Sequence, residues 1–118
     1  MPNFEPWDIV KVPFPNVERP VRQYRPALVI AARDPEDVHG LLWVAMITSA
    51  ANRGWHSDVA ISDLCEAGLP VPSVVRPAKL ATIESRDAER LGCLSAADRR
   101  TISLYMSGRL KRALGDGH

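Results

Sequence analysis

The apolar residues of this chain fall in short runs, each ended within a few positions by proline, glycine or charge. Trp7-Asp8-Ile9-Val10-Lys11-Val12 is rich in β-formers with a polar residue on each face, and Pro13-Phe14-Pro15 closes it. A proline-bearing, arginine-rich loop over 14–24 leads into a second strand, Ala27 to Ala32, which Arg33-Asp34-Pro35-Glu36-Asp37 ends as a turn. Gly40 precedes a third strand, Leu41 to Thr48. Strands following one another without long helices between them predict antiparallel pairing. A loop over 49–56 carries Asn52, Arg53, Gly54, Trp55 and His56, and Val59-Ala60-Ile61 forms a short strand. Asp63-Leu64-Cys65-Glu66 reads as a helical turn stopped by Gly68 and Pro70. Ser73-Val74-Val75-Arg76 and Lys79-Leu80-Ala81-Thr82-Ile83 read as two strands separated by Pro77, and Ser85 to Arg90 as a short helix.

The period changes only near the end. Ile102, Met106, Leu110 and Ala113 recur at helical spacing, which predicts an amphipathic helix over 96–114 with its apolar stripe packed on the sheet. Ser95 is the expected N-cap, with Asp98 placed as in a capping box. Arg109, Lys111 and Arg112 suit the negative end of the helix dipole. The last four residues are expected to fray. These elements give a mainly β fold with appended helices, in a single domain over 1–118.

At 118 residues the chain is long enough to bury a core without staples. Its 46% hydrophobic and 25% charged residues are those of an ordinary soluble globular protein. The first residues have neither a basic nor an apolar signal region, and no stretch approaches the ~18 apolar residues that span a bilayer. A cytoplasmic protein without membrane contact is therefore expected. Cys65 and Cys93 stand alone and are expected to be reduced and buried.

A net charge of +1 creates no overall field that would draw in nucleic acid. The distribution of charge changes the picture. Arginine supplies twelve of the fifteen basic residues, and Arg19, Arg22 and Arg25 fall within seven positions opposed only by Glu18. The guanidinium fork suits bidentate phosphate contacts better than the lysine point charge does. Coding bias accounts equally well for the arginine excess as a whole, but less readily for a cluster in a loop entering a buried strand.

Familiar catalytic apparatus is missing. His39, His56 and His118 are scattered, no spacing resembles a metal site, and there is neither a glycine-rich phosphate loop nor a nucleophile elbow. No metal and no cofactor are expected. What remains are arginine, threonine, serine and carboxylates. Arg25-Pro26-Ala27-Leu28-Val29-Ile30 and Val44-Ala45-Met46-Ile47-Thr48-Ser49 are apolar runs with polar residues at one end. A guanidinium and a hydroxyl at the ends of buried strands sit on rigid backbone at the rim of a core, where they can cradle a phosphate. The bland alternative is a strand-end arginine in a surface salt bridge. Trp43, inside an apolar strand, is expected in the core. Trp55, in a polar loop, either stacks a base or caps the end of the sheet.

Taken in order, Asp8-Ile9-Val10-Lys11-Val12-Pro13-Phe14-Pro15, Arg25-Pro26-Ala27-Leu28-Val29-Ile30 and Met46-Ile47-Thr48-Ser49 resemble the successive signatures of the MazF/PemK family, toxins of type II toxin-antitoxin systems. Ala67-Gly68-Leu69-Pro70, Ser73-Val74-Val75-Arg76, Lys79-Leu80-Ala81-Thr82-Ile83 and Leu91-Gly92-Cys93-Leu94-Ser95 continue the resemblance, which runs from about residue 7 to about residue 112. The resemblance implies a small SH3-like barrel of the MazF/PemK/CcdB type, a homodimer, a cognate antitoxin partner and metal-independent cleavage of single-stranded RNA. It places the catalytic arginine at Arg25 and the catalytic threonine at Thr48, with Ser49 as a phosphate or substrate contact. Arg19, Arg22, Trp55 and Lys79 complete the expected substrate-binding set. Many members carry glycine just before the arginine, where this chain has Arg22-Gln23-Tyr24, a departure that bears on loop flexibility and base preference.

In such a reaction the RNA 2′-hydroxyl attacks its own phosphate, so the enzyme supplies no external nucleophile. Its task is to stabilise charge on the phosphoryl oxygens and on the leaving 5′-oxygen. Arginine, with a pKa above ~12, is a poor proton donor, so Arg25 is expected to act as a fixed hydrogen-bond donor. Asp8 and Glu18 are the only general bases in view, and neither has support. Three other readings compete: a same-fold toxin acting on a protein such as gyrase, a non-catalytic RNA- or protein-binding barrel, and an SH3-like module for proline-rich peptides. An arginine–threonine pair has no purpose in a gyrase poison, and the scattered aromatics offer little sign of a peptide groove.

Overall fold

In a computed structural model of the protein, residues 4–14, 23–31, 40–52 and 54–115 are described. Among the described residues, six strands form one sheet: β1 (Asp8–Phe14), β2 (Gln23–Ala31), β3 (Leu41–Ser49), β4 (Val59–Ala60), β5 (Ser73–Glu84) and β6 (Glu89–Cys93). They are ordered β4-β5-β3-β2-β1-β6, and every neighbouring pair is antiparallel. The same residues add the helices α1 (Leu64–Ala67) and α2 (Ala96–Ala113). The expected mainly β architecture with a C-terminal helix is what the chain adopts.

Both faces of the sheet are apolar, which is why its strands read as runs rather than clean alternations. One face gathers Ile9, Leu28, Ala45, Ile47 and Val75 beneath Ala67 of α1 and Ile102 of α2. The other gathers Val10, Val12, Ala27, Val29, Val44 and Ile83 into a second core.

Several details depart from the sequence reading. The two strands expected around Pro77 are one strand with a bulge. On β3, Met46 pairs with Arg76 but its neighbour Ala45 pairs with Leu80, so Pro77, Ala78 and Lys79 stand outside the ladder. Proline has no N–H to give a ladder, and the bulge is where that lack costs nothing. The helix expected over Ser85 to Arg90 is a single 3₁₀ turn, Ser85–Asp87, after which β6 returns along β1. Gly68 ends α1 with φ of 74°, and a Cβ on Gly92 would run into the Glu66 carbonyl, so these two glycines let α1 sit directly on β6.

Trp43 is 57% exposed, against the expectation of a core position. It alternates with the buried Leu42 and Val44, so it shares the face of Ala45 and Ile47 but lies outside the core that α1 and α2 cover there. The apolar stripe of α2 is also only half used. Ile102 is buried and Met106 packs beside it, whereas Leu110 is 59% exposed and Ala113 lies in solvent. Ser95 does not cap α2 with its side chain, and Asp98 is buried as the acceptor for the Ser62 amide (2.8 Å) and hydroxyl (3.0 Å). Cys65 is exposed on the outer side of the α1 turn, and Cys93 is half-buried with its Sγ 3.4 Å from a Glu66 carboxylate oxygen. No helix is long and apolar enough to cross a membrane.

Candidate active site

The β2–β3 ladder pairs Ala27 with Met46 and Leu28 with Ala45. Arg25 lies two residues beyond Ala27 on β2 and Thr48 two residues beyond Met46 on β3, each just past the last pair of this ladder. Strand alternation puts Arg25 on the face of Ala27 and Val29, and Thr48 on the face of Met46 and Val44, which is the same face of the sheet. Arg25 is the third residue of β2 rather than its start, and it is half-buried. Thr48 is 7% exposed and is held from its other side by pairing with Val74 of β5. The two residues singled out from the sequence thus lie on one face of two neighbouring central strands.

The chain leaves β3 through a 3₁₀ turn, Ala50–Asn52, which bends back over the strand end. Asn52 Nδ2 donates to Thr48 Oγ1 at 3.3 Å. A hydroxyl that accepts on one side directs its own proton elsewhere, so Thr48 is set up as a donor toward a substrate oxygen. Ser49 Oγ accepts from the Ala51 amide at 3.2 Å, so this side chain closes the turn.

The loop that follows is fastened by one arginine. Arg76 Nε donates to Asp58 Oδ1 at 2.9 Å, while Nη2 donates to Asp58 Oδ2 and to the Asn52 carbonyl, each at 3.0 Å. The Asp58 side chain is fully buried and also accepts the amides of Trp55 (3.3 Å) and Gly54 (3.5 Å). The hydrogen bond from Arg76, aided by these amides, holds the Asp58 carboxyl below its ordinary pKa against the opposing effect of burial. The same bond raises the Arg76 pKa.

Trp55 lies with its ring 4.3 Å from the Arg76 guanidinium carbon and is 46% exposed. One ring face therefore meets the guanidinium while part of the indole stays in solvent. Lys79 lies in the β5 bulge, exposed, three residues beyond Arg76. Arg19 and Arg22 lie outside the described residues, as does Glu18. Asp8 is no base for this site. It is buried at the far end of β1, paired with Arg90 at 3.3 Å and accepting the Glu5 amide at 3.0 Å. Its neighbour Ile9 pairs with Leu28, which leaves Asp8 roughly 13 Å along the ladder from Arg25. Among the described residues, no three His, Cys, Asp or Glu side chains are grouped as metal ligands would be.

Three residues at this site were not singled out from the sequence: Asn52, Asp58 and Arg76. Arg76 ends an apolar run in the same way that Arg25 begins one, and that is the signal available for it. Asp58 gave none, because its closeness to Arg76 depends on the pairing of Val59 with Val75.

The family model described as PemK-like, MazF-like toxin of type II toxin-antitoxin system matches residues 5–104. No curated protein matches this sequence. Among solved structures, MazF from Deinococcus radiodurans is similar with a TM-score of 0.69 and 25% identity, covering 98% of this chain and 99% of that one. A MazE–MazF complex from the same organism is similar with a TM-score of 0.67 and 24% identity, covering 98% of each chain. An endoribonuclease in complex with its cognate antitoxin, from a mycobacterial species, shares the fold with a TM-score of 0.62 at 14% identity, covering 98% of this chain and 96% of that one.

Proposed function

Since this chain belongs to the PemK-like, MazF-like toxins of type II toxin-antitoxin systems, we propose that it is an endoribonuclease that cuts single-stranded RNA without a metal ion. It acts as a homodimer in the cytoplasm and is held in check by a cognate antitoxin, as the MazE–MazF complex and the mycobacterial pair are assembled. The observation that most supports the reading is the placement of Arg25 and Thr48 on one face of the neighbouring strands β2 and β3, each two residues past the Ala27–Met46 pair.

In this reading the RNA 2′-hydroxyl attacks the adjacent phosphorus and the bond to the 5′-oxygen breaks. The products are a 2′,3′-cyclic phosphate and a 5′-hydroxyl. The Arg25 guanidinium donates to the phosphoryl oxygens as their charge grows, and a fixed donor of this kind contributes about 10²–10³ in rate. Thr48, its oxygen already engaged by Asn52, donates its proton to the same group. Backbone on the central strands holds both side chains before substrate arrives, so little reorganisation is needed at the moment of reaction. Ser49, Lys79, Arg19, Arg22 and the exposed part of Trp55 serve as substrate contacts around them.

The test is incubation of the purified protein with end-labelled single-stranded RNA in excess chelator. Fragments bearing a 5′-hydroxyl and a 2′,3′-cyclic phosphate are expected. Intact RNA, or equal cleavage by Arg25→Ala, would remove the assignment.

A further inference from the structure

Arg76 is 7% exposed. Its Nε and Nη2 grip the two oxygens of Asp58, Nη2 also holds the Asn52 carbonyl, and the Trp55 ring lies 4.3 Å from its carbon. An arginine whose fork is occupied by a carboxylate and whose plane meets an indole has little left to offer a phosphate. Its influence runs inward. Arg76 fixes the main chain at Asn52, and the side chain of the same Asn52 reaches Thr48 Oγ1 at 3.3 Å. The sheet adds a second constraint, because Arg76 pairs with Met46 and Val74 with Thr48 on the same two strands.

Resting on the reading of Thr48 as a substrate contact, we propose that Arg76 is a positioning residue that acts on cleavage through Asn52, whose carboxamide it holds in place to orient the Thr48 hydroxyl. Asp58 is its counter-anchor, neutralising the buried guanidinium and tying it to the amides of Gly54 and Trp55. Arginine suits the task because lysine, a point charge, cannot grip both carboxylate oxygens and the carbonyl together.

The experiment is a double-mutant cycle on kcat and KM for single-stranded RNA, with wild type, Arg76→Lys, Asn52→Ala and the double variant. Asn52→Ala removes the carboxamide but keeps the carbonyl and the Arg76–Asp58 pair, so the loop stays fastened. Each single variant should lower kcat about tenfold with KM unchanged, and the double variant also about tenfold, because both changes remove one restraint. A loss near a hundredfold in the double variant, a main effect on KM, or an unchanged kcat in either single variant would overturn the proposal. A wild-type protein that leaves RNA intact would remove the nuclease reading instead. The positioning is then decided by amide hydrogen exchange at Gly54, Trp55 and Asp58, which should quicken about tenfold or more in Arg76→Lys while β2 and β3 stay protected. Unchanged exchange at those three amides overturns it.

Discussion

The Arg76 guanidinium meets the Asp58 carboxylate side-on, with Nε to Oδ1 at 2.9 Å and Nη2 to Oδ2 at 3.0 Å, so strand β5 and the loop before β4 are joined by a two-pronged bond. Arg76 remains protonated at every accessible pH, so acid acts on this bond through Asp58 alone. The folded-state pKa of Asp58 lies below its unfolded value near ~3.9. The contribution of the pair is therefore complete above about pH 4 and is lost as pH falls through the folded value. Thermal unfolding between pH 6 and pH 2.5 should show a steeper acid loss of stability for wild type than for Asp58→Asn. Parallel curves would show that the pair contributes nothing.

Removing one partner of this pair at neutral pH leaves the other desolvated. Arg76→Ala should cost on the order of 2 kcal/mol, between the values of exposed and fully buried pairs, measured by urea unfolding.

Arg25→Ala should abolish RNA cleavage with the circular dichroism spectrum unchanged, because a half-buried arginine fills no core volume. Arg25→Lys should recover little of the activity, lacking the planar fork. Thr48→Ser should keep part of the rate by retaining the hydroxyl, and Thr48→Ala should lose about 10²-fold or more, read from initial rates.

Trp55→Ala should show two effects at once. Loss of the contact with Arg76 should lower stability by about 1 kcal/mol. Loss of the exposed indole should weaken RNA binding by about 1–3 kcal/mol, measured by fluorescence anisotropy with labelled RNA. Lower stability with unchanged binding would leave Trp55 as packing for Arg76 alone.

Trp43 and Leu42 are adjacent, yet substitution should separate them sharply. Leu42→Ala should cost about 2–5 kcal/mol as a core truncation, whereas Trp43→Ser should cost less than about 1 kcal/mol because the ring is already in solvent. The same contrast should hold between Ile102→Ala and Leu110→Ser on α2.

The sequence disclosed those features that local pattern governs. The Gly40 start of β3, the Gly68 stop of α1 and the 3.6-residue spacing from Ile102 onward all depend on residues near one another in the chain. Arg25 and Thr48 are singled out by the same kind of local signal, each at one end of an apolar run. What failed depended on register or coverage. Trp43 reads as core by composition, and only the reach of α1 and α2 decides that its end of their face is open. Asp98 fits a capping box by spacing, but Ser62, distant in sequence, claims it. Pro77 signals a break, and nothing local says that the strand resumes on the same partner. Asn52, Asp58 and Arg76 become a cluster only when the β4–β5 pairing is known.

The bulge at Pro77, Ala78 and Lys79 divides β5 into two ladders whose lengths are uncoupled. Val74 stays opposite Thr48 and Ile83 opposite Leu42 whatever number of residues is looped out between them. An insertion or deletion of one residue at this place would therefore be absorbed without shifting Arg76 or turning any β5 side chain to the wrong face. Elsewhere in the strand a single-residue slip would reverse every inward and outward position beyond it. The register of β5 at the end of the sheet that carries Thr48 is in this way independent of its register at the end that carries Trp43, and the length of β5 can drift between them without disturbing either.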